Sequence, residues 1–228
     1  MGSVIYEVLH TIVPPVAKTV WRPDVRGLDN IPPTGGVILA SNHLSFADSV
    51  MIPIVVPRKV VFLAKSDYFT RPGLGGAAQR AWFQGLGMLP VDRDDTRAAL
   101  GSLDTALEVL GRGEAFGIYP EGTRSRDGRL YRGRTGVARL SVAAGVPIVP
   151  VGMLGTDKVQ PIGQPYPKPF RGKVTVRFGK PIETTGRADD RTSLRALTDE
   201  VMAEIQKLTG QEYVPRYAPA KTAPPPDA

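Results

Sequence analysis

Short apolar runs alternate along this chain with segments of helical periodicity, and this alternation limits the possible folds more than any other feature. Buried strands are predicted from four such runs, each bounded by turn-forming residues: 36–41, 60–64, 115–119 and 147–153. Residues 173–178 alternate with a period of two and predict an edge or half-exposed strand. Helices interleaved with buried strands are typical of a single α/β domain whose central sheet is mixed, partly parallel and flanked by helices.

Three helices are predicted between and after these strands. Residues 97–110 place four leucines on one stripe and are followed by two glycines, which is the pattern of an amphipathic helix. Residues 136–144 predict a short helix. Residues 193–208 again carry apolar side chains at helical spacing, and Gly210 is expected to end that helix.

The two ends of the chain differ in composition from the α/β domain predicted for residues 23–212. Residues 1–22 have apolar residues at roughly helical spacing and predict an amphipathic helical segment, bent or broken at its two prolines. This segment is expected to associate with a membrane surface, with packing on the protein's own core as an equal alternative. Residues 213–228 are rich in proline and alanine and are predicted to be a disordered tail.

Composition restricts the partners and the chemistry. The net charge of +7 suits an anionic partner, which can be a phosphate ester, an anionic lipid headgroup or a nucleic acid. The absence of cysteine excludes disulfides, thiolate zinc sites and a cysteine nucleophile. The sequence contains no uncharged run of about 18 to 20 apolar residues, so no transmembrane helix is predicted. The N-terminus lacks the basic start of a secretory signal.

His43 is the first candidate catalytic residue, because it follows the strand predicted at 36–41 and so lies at a strand's carboxyl end, where open α/β sheets place their sites. Within one helix, residues five apart point about 140° apart, so His43 and Asp48 could not touch there. They can meet if His43 is on the loop and Asp48 is in the first turn of the next helix, with Ser45 as its N-cap and Asp48 at the third helical position. Asp48 would then accept a hydrogen bond from Nδ1 and leave Nε2 to take a proton. A capping Asp48 beside a structural His43 fits the same spacing; the other histidine, His10, is interpreted as structural or interfacial.

Four ordered blocks carry a more specific signal: Asn42-His43-x4-Asp48, Gly87-x5-Arg93, Pro120-Glu-Gly-Thr-Arg-Ser125 and Val146-Pro-Ile-Val-Pro150. Over residues 24–182 this pattern resembles the glycerolipid acyltransferase family, which includes the 1-acylglycerol-3-phosphate acyltransferases. The chain departs from the family at Pro90, where an aromatic or aliphatic residue is common, and at Tyr119, where phenylalanine is common. Neither change removes a chemical group from the proposed site.

The resemblance implies a glycerol-3-phosphate acyltransferase-like fold and transfer of a fatty acyl group to the free hydroxyl of 1-acylglycerol 3-phosphate, which gives phosphatidic acid. The donor is acyl-CoA or acyl-carrier protein, and neither a cofactor nor a metal is expected. His43 is the implied general base and Asp48 its orienting partner. Direct attack by the substrate hydroxyl needs a base and no protein nucleophile, so the missing cysteine is no obstacle.

A phosphate-bearing acceptor needs cationic and hydroxyl donors, and several residues are candidates for binding it. Arg93, Arg124 and Thr123 are candidates by chemistry and motif, Glu121 and Gly122 by resemblance, and Lys65 by its position after a strand. Six arginines and one acidic residue occur between residues 124 and 139, which suggests a rim that attracts phosphate groups. The expected location is the cytoplasmic face of the cell membrane, as a peripheral protein on anionic lipid.

Three alternatives remain at this point. The acceptor can be glycerol 3-phosphate or another lysolipid, since the motifs would be nearly the same. A non-enzymatic basic module for membranes or nucleic acid fits the charge, but aromatic residues are only 7% of the chain and no nucleic-acid motif occurs, so no nucleic acid is expected as a partner. A metal hydrolase would need more ligands than His43 and Asp48 provide.

Overall fold

A seven-stranded sheet forms the centre of the protein. The computed structural model describes residues 15, 19–91, 96–164, 166–169 and 172–219, with backbone alone for residues 96–100. The strands within these ranges are β1 (Asp24–Arg26), β2 (Val37–Ser41), β3 (Val60–Lys65), β4 (Met88–Val91), β5 (Ala115–Ile118), β6 (Leu130–Tyr131), β7 (Ile148–Leu154), β8 (Thr175–Phe178) and β9 (Tyr213–Val214). The order across the sheet is β1-β8-β7-β2-β5-β3-β4, while β6 and β9 form a separate two-stranded ribbon.

Helices connect most of these strands. They are a 3-10 turn (Leu28–Asn30), α1 (Asp48–Val55), α2 (Asp67–Thr70), α3 (Gly73–Gly85), α4 (Thr96–Gly111), α5 (Gly136–Ala144), α6 (Thr156–Val159) and α7 (Arg191–Thr209). The left-handed backbone of Gly145 and Gly210 ends α5 and α7, because glycine adopts this conformation without a steric penalty.

Parallel pairing brings the functional loops to one edge of the sheet. In the described sheet, every pairing is parallel except that of β7 with β8. Since β2, β3, β5 and β7 run in the same direction, the segments that follow them start at a common edge. The predicted α/β fold with a mixed, partly parallel sheet is therefore confirmed.

Hydrophobic side chains pack on both faces of the sheet. Val37 and Leu39 of β2 face a cluster that includes α1 and the end of α3, and Ile38 and Ala40 face a second cluster formed with α4, α5 and α7. A strand buried on both faces reads as a continuous apolar run in the sequence, as β2 does. The core thus fixes the strand whose carboxyl end carries His43.

Most predicted boundaries are within one or two residues of the observed ones, and two of the differences have a clear structural cause. The last helix begins at Arg191 rather than at 193, because the Asp190 side chain accepts hydrogen bonds from the backbone N–H groups of Thr192 and Ser193 and acts as the N-cap. The tail predicted from residue 213 begins with ordered residues, since Tyr213–Val214 pair in parallel with Leu130–Tyr131. The predicted start of the tail at residue 213 is therefore wrong, because main-chain pairing orders these residues and the proline-rich composition gave no sign of it.

The predicted N-terminal segment lies mostly outside the described residues. Of its last residues, Trp21 packs against the hydrophobic cluster on the α1 side of the sheet, and its indole N–H donates to the Lys168 carbonyl oxygen at 3.1 Å. The end of the segment therefore contacts the protein's own core. Among the described helices, none combines the length and the apolar character needed to cross a bilayer.

Candidate active site

His43 and Asp48 meet at the carboxyl end of β2. His43 lies on the loop after β2 and Asp48 is the first residue of α1, and Nδ1 of the imidazole is 2.9 Å from Oδ2 of the carboxylate. This is the contact predicted from a loop histidine and an aspartate in the first helical turn. Because Nδ1 faces Asp48, Nε2 is on the opposite side of the ring, where it can take a proton.

The Asp48 carboxylate organises the loop as well as the imidazole. Oδ2 also accepts the backbone N–H groups of Leu44 at 2.7 Å and Ser45 at 2.8 Å. The side chain is fully buried, and its Oδ1 has no hydrogen-bond partner among the described residues. The buried Asp48 carboxylate therefore holds the loop backbone and also sets the direction in which the His43 imidazole points.

Ser45 is not the N-cap that the sequence predicted. The residue before α1 is Ala47, which makes no side-chain capping bond. The Ser45 hydroxyl instead donates to the carbonyl oxygen of Gln160 at 2.6 Å, which links this loop to the segment after α6. Half of the predicted capping box is still present, since the Asp48 carboxylate accepts the Ser45 N–H.

Tyr119 covers one face of the His43 ring. The two ring centroids are 3.7 Å apart with an interplanar angle of 9°, and the phenol oxygen is 2.8 Å from the hydroxyl oxygen of Ser49 in α1. Removal from water, with the nearby Asp48 charge, raises the pKa of Tyr119 well above its usual value, so the phenol stays neutral. The stack leaves the imidazole little freedom to rotate. Stacking on His43 was not predicted for this residue.

Glu121 holds the backbone of the His43 loop. Its Oε1 accepts the N–H of His43 at 3.3 Å and its Oε2 accepts the N–H of Tyr131 at 2.9 Å. Burial raises the pKa of Glu121 to about 7, against the lowering effect of these two hydrogen bonds. The carboxylate therefore contributes to the shape of the site through the histidine loop, with both oxygens directed at main-chain donors.

The turn after β5 lies against the same loop. The N–H of Ser125 donates to the carbonyl oxygen of His43 at 2.7 Å, so residues 121–125 bond both backbone groups of the histidine. Gly122 has φ of 75°, and a Cβ there would lie 3.1 Å from Nε of Arg134, so a side chain is disfavoured at this position. Within the described residues, Arg124 and Thr123 form no hydrogen bond or ion pair through their side chains, and both are half-buried. They are available to a ligand.

Lys65 and Arg93 belong to the neighbouring strand connections. Lys65 ends β3, at the same edge as His43, and its Nζ is 2.6 Å from Oδ2 of Asp67. A phosphate would have to compete with this surface ion pair. Arg93 lies outside the described residues, and its predicted role stays a prediction.

Asn42 is a buried residue whose role the sequence did not reveal. Its Nδ2 donates to the carbonyl oxygen of Met153 and to Oε1 of Gln211, both at 2.9 Å, and its Oδ1 accepts the Met153 N–H at 2.8 Å. Asn42 thus joins the ends of β2 and β7 and the segment after α7. In the sequence, only its position directly before His43 pointed to a role for Asn42. Its partners could not be predicted, because they are more than a hundred residues away along the chain.

Together these contacts provide an oriented base beside uncommitted cationic and hydroxyl groups. Asp48 and Tyr119 hold the His43 ring. Arg124 directly precedes Ser125, whose N–H donates to the carbonyl oxygen of His43. Among the described residues, no group of three or more histidines, aspartates or glutamates has the arrangement of a metal site. The arrangement can deprotonate a hydroxyl whose molecule also carries an anion.

Comparison with known proteins gives consistent results. The family model described as Acyltransferase matches residues 22–154. A chloroplastic 1-acyl-sn-glycerol-3-phosphate acyltransferase of Brassica napus is 32% identical over 63% of this chain and 40% of its own length. The mouse enzyme alpha of the same name is 30% identical over 79% of this chain and 61% of its own length. The Bacillus subtilis protein of that name is 26% identical over 81% of this chain and 86% of its own length.

A solved structure is similar over most of both chains. The 1-acyl-sn-glycerophosphate acyltransferase PlsC from Thermotoga maritima aligns with a TM-score of 0.66 and 26% identity, covering 91% of this chain and 80% of that one. The chain described here spans only 40% and 44% of the length of the plant relatives from Brassica napus and Arabidopsis thaliana. The plant proteins therefore contain long regions that have no counterpart in the match.

Replacing Glu121 by glutamine tests the electrostatics of the histidine loop. The pKa of Glu121 is raised from 4.5 to about 7 in the folded protein, so the folded state keeps a proton that the unfolded chain loses. The stability contributed by this group therefore falls as pH rises from about 4.5 to about 7. Glutamine does not ionise, so across this window wild type should lose about 3 kcal/mol of unfolding free energy relative to Glu121→Gln, measured by urea denaturation.

Asp127→Asn is the matched control for this measurement. Although partial burial raises its pKa, hydrogen bonds from Tyr131, Arg129 and Ser125 lower the pKa of Asp127 to about 2. Its own ionisation is therefore complete below the window. Because the Asp127 charge is one of the smaller causes that raise the pKa of Glu121, the stability difference between wild type and Asp127→Asn should change from about pH 4.5 to 7 by much less than the difference for Glu121→Gln. A flat difference for Glu121→Gln would contradict the raised pKa.

Proposed function

Because the chain belongs to the acyltransferase family, we propose that it transfers a fatty acyl group from acyl-CoA or acyl-carrier protein to the free hydroxyl of 1-acylglycerol 3-phosphate. The product is phosphatidic acid, an intermediate of phospholipid biosynthesis. The observation that carries the proposal is the 2.9 Å contact between Nδ1 of His43 and the buried Asp48 carboxylate. The name shared by the relatives supports the choice of acceptor.

The proposed reaction is a direct displacement at the thioester carbonyl. The acceptor hydroxyl oxygen attacks the carbonyl carbon while Nε2 of His43 takes the hydroxyl proton, and the resulting imidazolium is stabilised by Asp48. The new ester C–O bond forms and the C–S bond breaks, and the proton passes from His43 to the leaving thiolate to give the free thiol. A positioned base of this type contributes about 10²–10⁴-fold, so orientation of the two substrates supplies much of the remainder.

The acceptor phosphate is proposed to bind beside the turn after β5. Arg124 can hold a phosphate through two parallel N–H groups and Thr123 can add a hydroxyl donor. The support is position: Ser125, the next residue, bonds the backbone of His43. In 1-acylglycerol 3-phosphate the phosphate and the reacting hydroxyl are only a few bonds apart, so a phosphate site near His43 is required. Arg93 and Lys65 are proposed as further contacts.

The reaction is proposed to take place at a membrane surface, on the cytoplasmic face, since the acceptor is a lipid. Three large apolar side chains are exposed on α2 and α3, namely Tyr68, Leu74 and Trp82, and Leu74 is 92% exposed. The first turn of α3 follows β3 through α2, so Leu74 lies near the edge of the sheet that carries His43. Exposed apolar and aromatic residues of this kind suit the bilayer interface.

Removing the base should abolish turnover. His43→Ala should lower kcat by at least about 10²-fold, because the acceptor hydroxyl must then be deprotonated by water. The measurement is release of free thiol and mass spectrometry of the lipid product, with 1-acylglycerol 3-phosphate, glycerol 3-phosphate and other lysolipids as acceptors, and with both donor types. A cooperative thermal transition and an unchanged circular dichroism spectrum exclude misfolding of the variant. More than about a tenth of wild-type turnover in His43→Ala would refute the proposed base.

Arg124→Ala should act on the acceptor alone. Loss of a bidentate contact to phosphate predicts an acceptor KM raised about tenfold to a hundredfold, with the donor KM unchanged. Arg124→Lys keeps the positive charge but cannot make the bidentate contact, so its acceptor KM should lie between those of wild type and Arg124→Ala. Arg112→Ala removes the same charge before β5, at the opposite edge of the sheet, and should leave the acceptor KM unchanged. Equal acceptor KM values for all four proteins would exclude Arg124 from the phosphate site.

Leu74→Glu should weaken membrane binding. Withdrawing one leucine from the interface predicts about tenfold weaker binding to vesicles of phosphatidylcholine with an anionic phospholipid, measured by co-sedimentation. Thr185→Glu introduces the same charge on an exposed loop at the opposite edge of the sheet and serves as the control. If both variants sediment like wild type, the face formed by α2 and α3 does not contact the membrane.

A further inference from the structure

A second cavity lies away from the catalytic residues, between α7 and the ribbon of β6 and β9. Its volume is about 420 Å³, and it is lined by Arg132, Asp199, Ala203, Gln206, Tyr213 and Pro215. This is within the range of small-molecule sites, which are roughly 300–1,000 Å³. The mechanism proposed above makes no use of it.

Arg132 and Tyr213 give this cavity hydrogen-bond donors that the described part of the chain does not already use. Its one carboxylate, Asp199, already binds Arg195 through both oxygens, at 2.6 and 3.0 Å. Arg132 has no carboxylate partner among the described residues, and the Tyr213 hydroxyl makes no hydrogen bond there. Removal from water, with the Asp199 charge, raises the pKa of Tyr213, which keeps its hydroxyl protonated. A guanidinium and a phenol O–H suit an anion with several oxygens, such as a phosphate ester.

Further positive charge surrounds the cavity entrance. The guanidinium carbons of Arg132 and Arg134 lie 5.6 and 5.2 Å from the ring centroid of Tyr217, and Arg216 accepts the Arg132 N–H through its carbonyl oxygen. Within the described part of the chain, neither Arg134 nor Arg216 pairs with a carboxylate. Two guanidinium groups without a carboxylate partner among the described residues, those of Arg132 and Arg134, therefore lie over the same ring, and Arg216 adds a third positive charge on the adjacent backbone.

Two connections lead from the cavity to the catalytic residues. Arg132 follows Tyr131, whose N–H binds the same Glu121 carboxylate that accepts the His43 N–H. Arg134 lies over the turn after β5, with its Nε close to Gly122. From the other side, Gln206 donates to the carbonyl oxygen of Gln211, whose side chain accepts from Asn42, next to His43.

Resting on the proposed function, we propose that this cavity binds the phosphorylated nucleotide end of an acyl-CoA donor, with Arg132 and Tyr213 donating to its phosphate. The pantetheine arm would then cross the surface of Arg134 and Gly122 and deliver the thioester to His43. The walls also offer acceptor oxygens, on Asp199 and Gln206, for the amino group of the adenine base. The Asp199 charge is offset by Arg195, so it opposes the phosphate only weakly.

The distance between charge and reacting atom favours this ligand over a lipid headgroup. In the acceptor, the phosphate is a few bonds from the hydroxyl and has to lie near His43. In acyl-CoA, a long flexible arm separates the phosphates from the thioester, which matches a cavity that reaches the active site only through intermediate residues. A concave cavity of this size also suits a small molecule better than the convex surface of a carrier protein.

The test compares donors in steady-state kinetics with the lipid acceptor held constant. Arg132→Ala should raise the KM for acyl-CoA about tenfold to a hundredfold, and Tyr213→Phe should raise it by a smaller factor. The KM for acyl-pantetheine, which lacks the nucleotide, should not change in either variant, and neither should the acceptor KM. Arg112→Ala is the charge-matched control and should behave as wild type, and melting temperatures exclude misfolding.

Binding of CoA itself, measured by titration calorimetry, separates this inference from the proposed function. Weaker CoA binding in Arg132→Ala than in Arg112→Ala supports the cavity even if no acceptor is turned over. The inference is overturned if Arg132→Ala binds and uses CoA donors like wild type, or if its KM rises equally for acyl-pantetheine. It is also overturned if wild type transfers acyl groups from acyl-carrier protein while neither binding nor using CoA, an outcome that leaves the proposed function intact.

Discussion

One carboxylate oxygen connects the backbone of the active-site loop with the orientation of its base. Oδ2 of Asp48 accepts the Nδ1 hydrogen of His43 and the N–H groups of Leu44 and Ser45, so one atom holds both the loop backbone and the imidazole. The same atom thus fixes the tautomer in which Nε2 can act as a base. Because the carboxylate is fully buried and its other oxygen has no partner among the described residues, removing the imidazole would leave a buried carboxylate that has lost one of its hydrogen bonds, which costs stability.

The sheet makes this loop possible by supplying partners from distant parts of the chain. Asn42, the residue before His43, binds the main chain of β7. Glu121 accepts the N–H of His43 itself. Both act at the common edge where parallel strands end, so the order of β7, β2 and β5 in the sheet decides which side chains can reach the histidine. Tyr119 comes from the end of β5 for the same reason, and its ring restricts the imidazole to one plane.

Sequence reasoning succeeded where local spacing carries the information. The apolar run of β2 and the glycine that ends α7 predicted these elements, and the five-residue spacing of His43 and Asp48 predicted their contact once a helix start was placed between them. It failed where a residue had two possible partners: Ser45 was expected to cap α1 but donates to Gln160, 115 residues away. The Tyr119 stack on His43 and the bond from the His43 N–H to Glu121 join residues 76 and 78 positions apart, and no periodicity in one sequence reports such pairs.

The arginines between residues 124 and 139 show how the fold divides a charge pattern that looks uniform in the sequence. Arg129 is paired with Asp127, whereas Arg124 follows the active-site turn and Arg132 faces the second cavity. In the proposed reaction with an acyl-CoA donor, such a division has a physical reason, because the two substrates would carry their phosphates at very different distances from the atoms that react. A single basic patch would bring both phosphates together, where they would repel each other and misplace either the hydroxyl or the thioester. Separate cationic positions let each substrate be anchored at its own distance from His43.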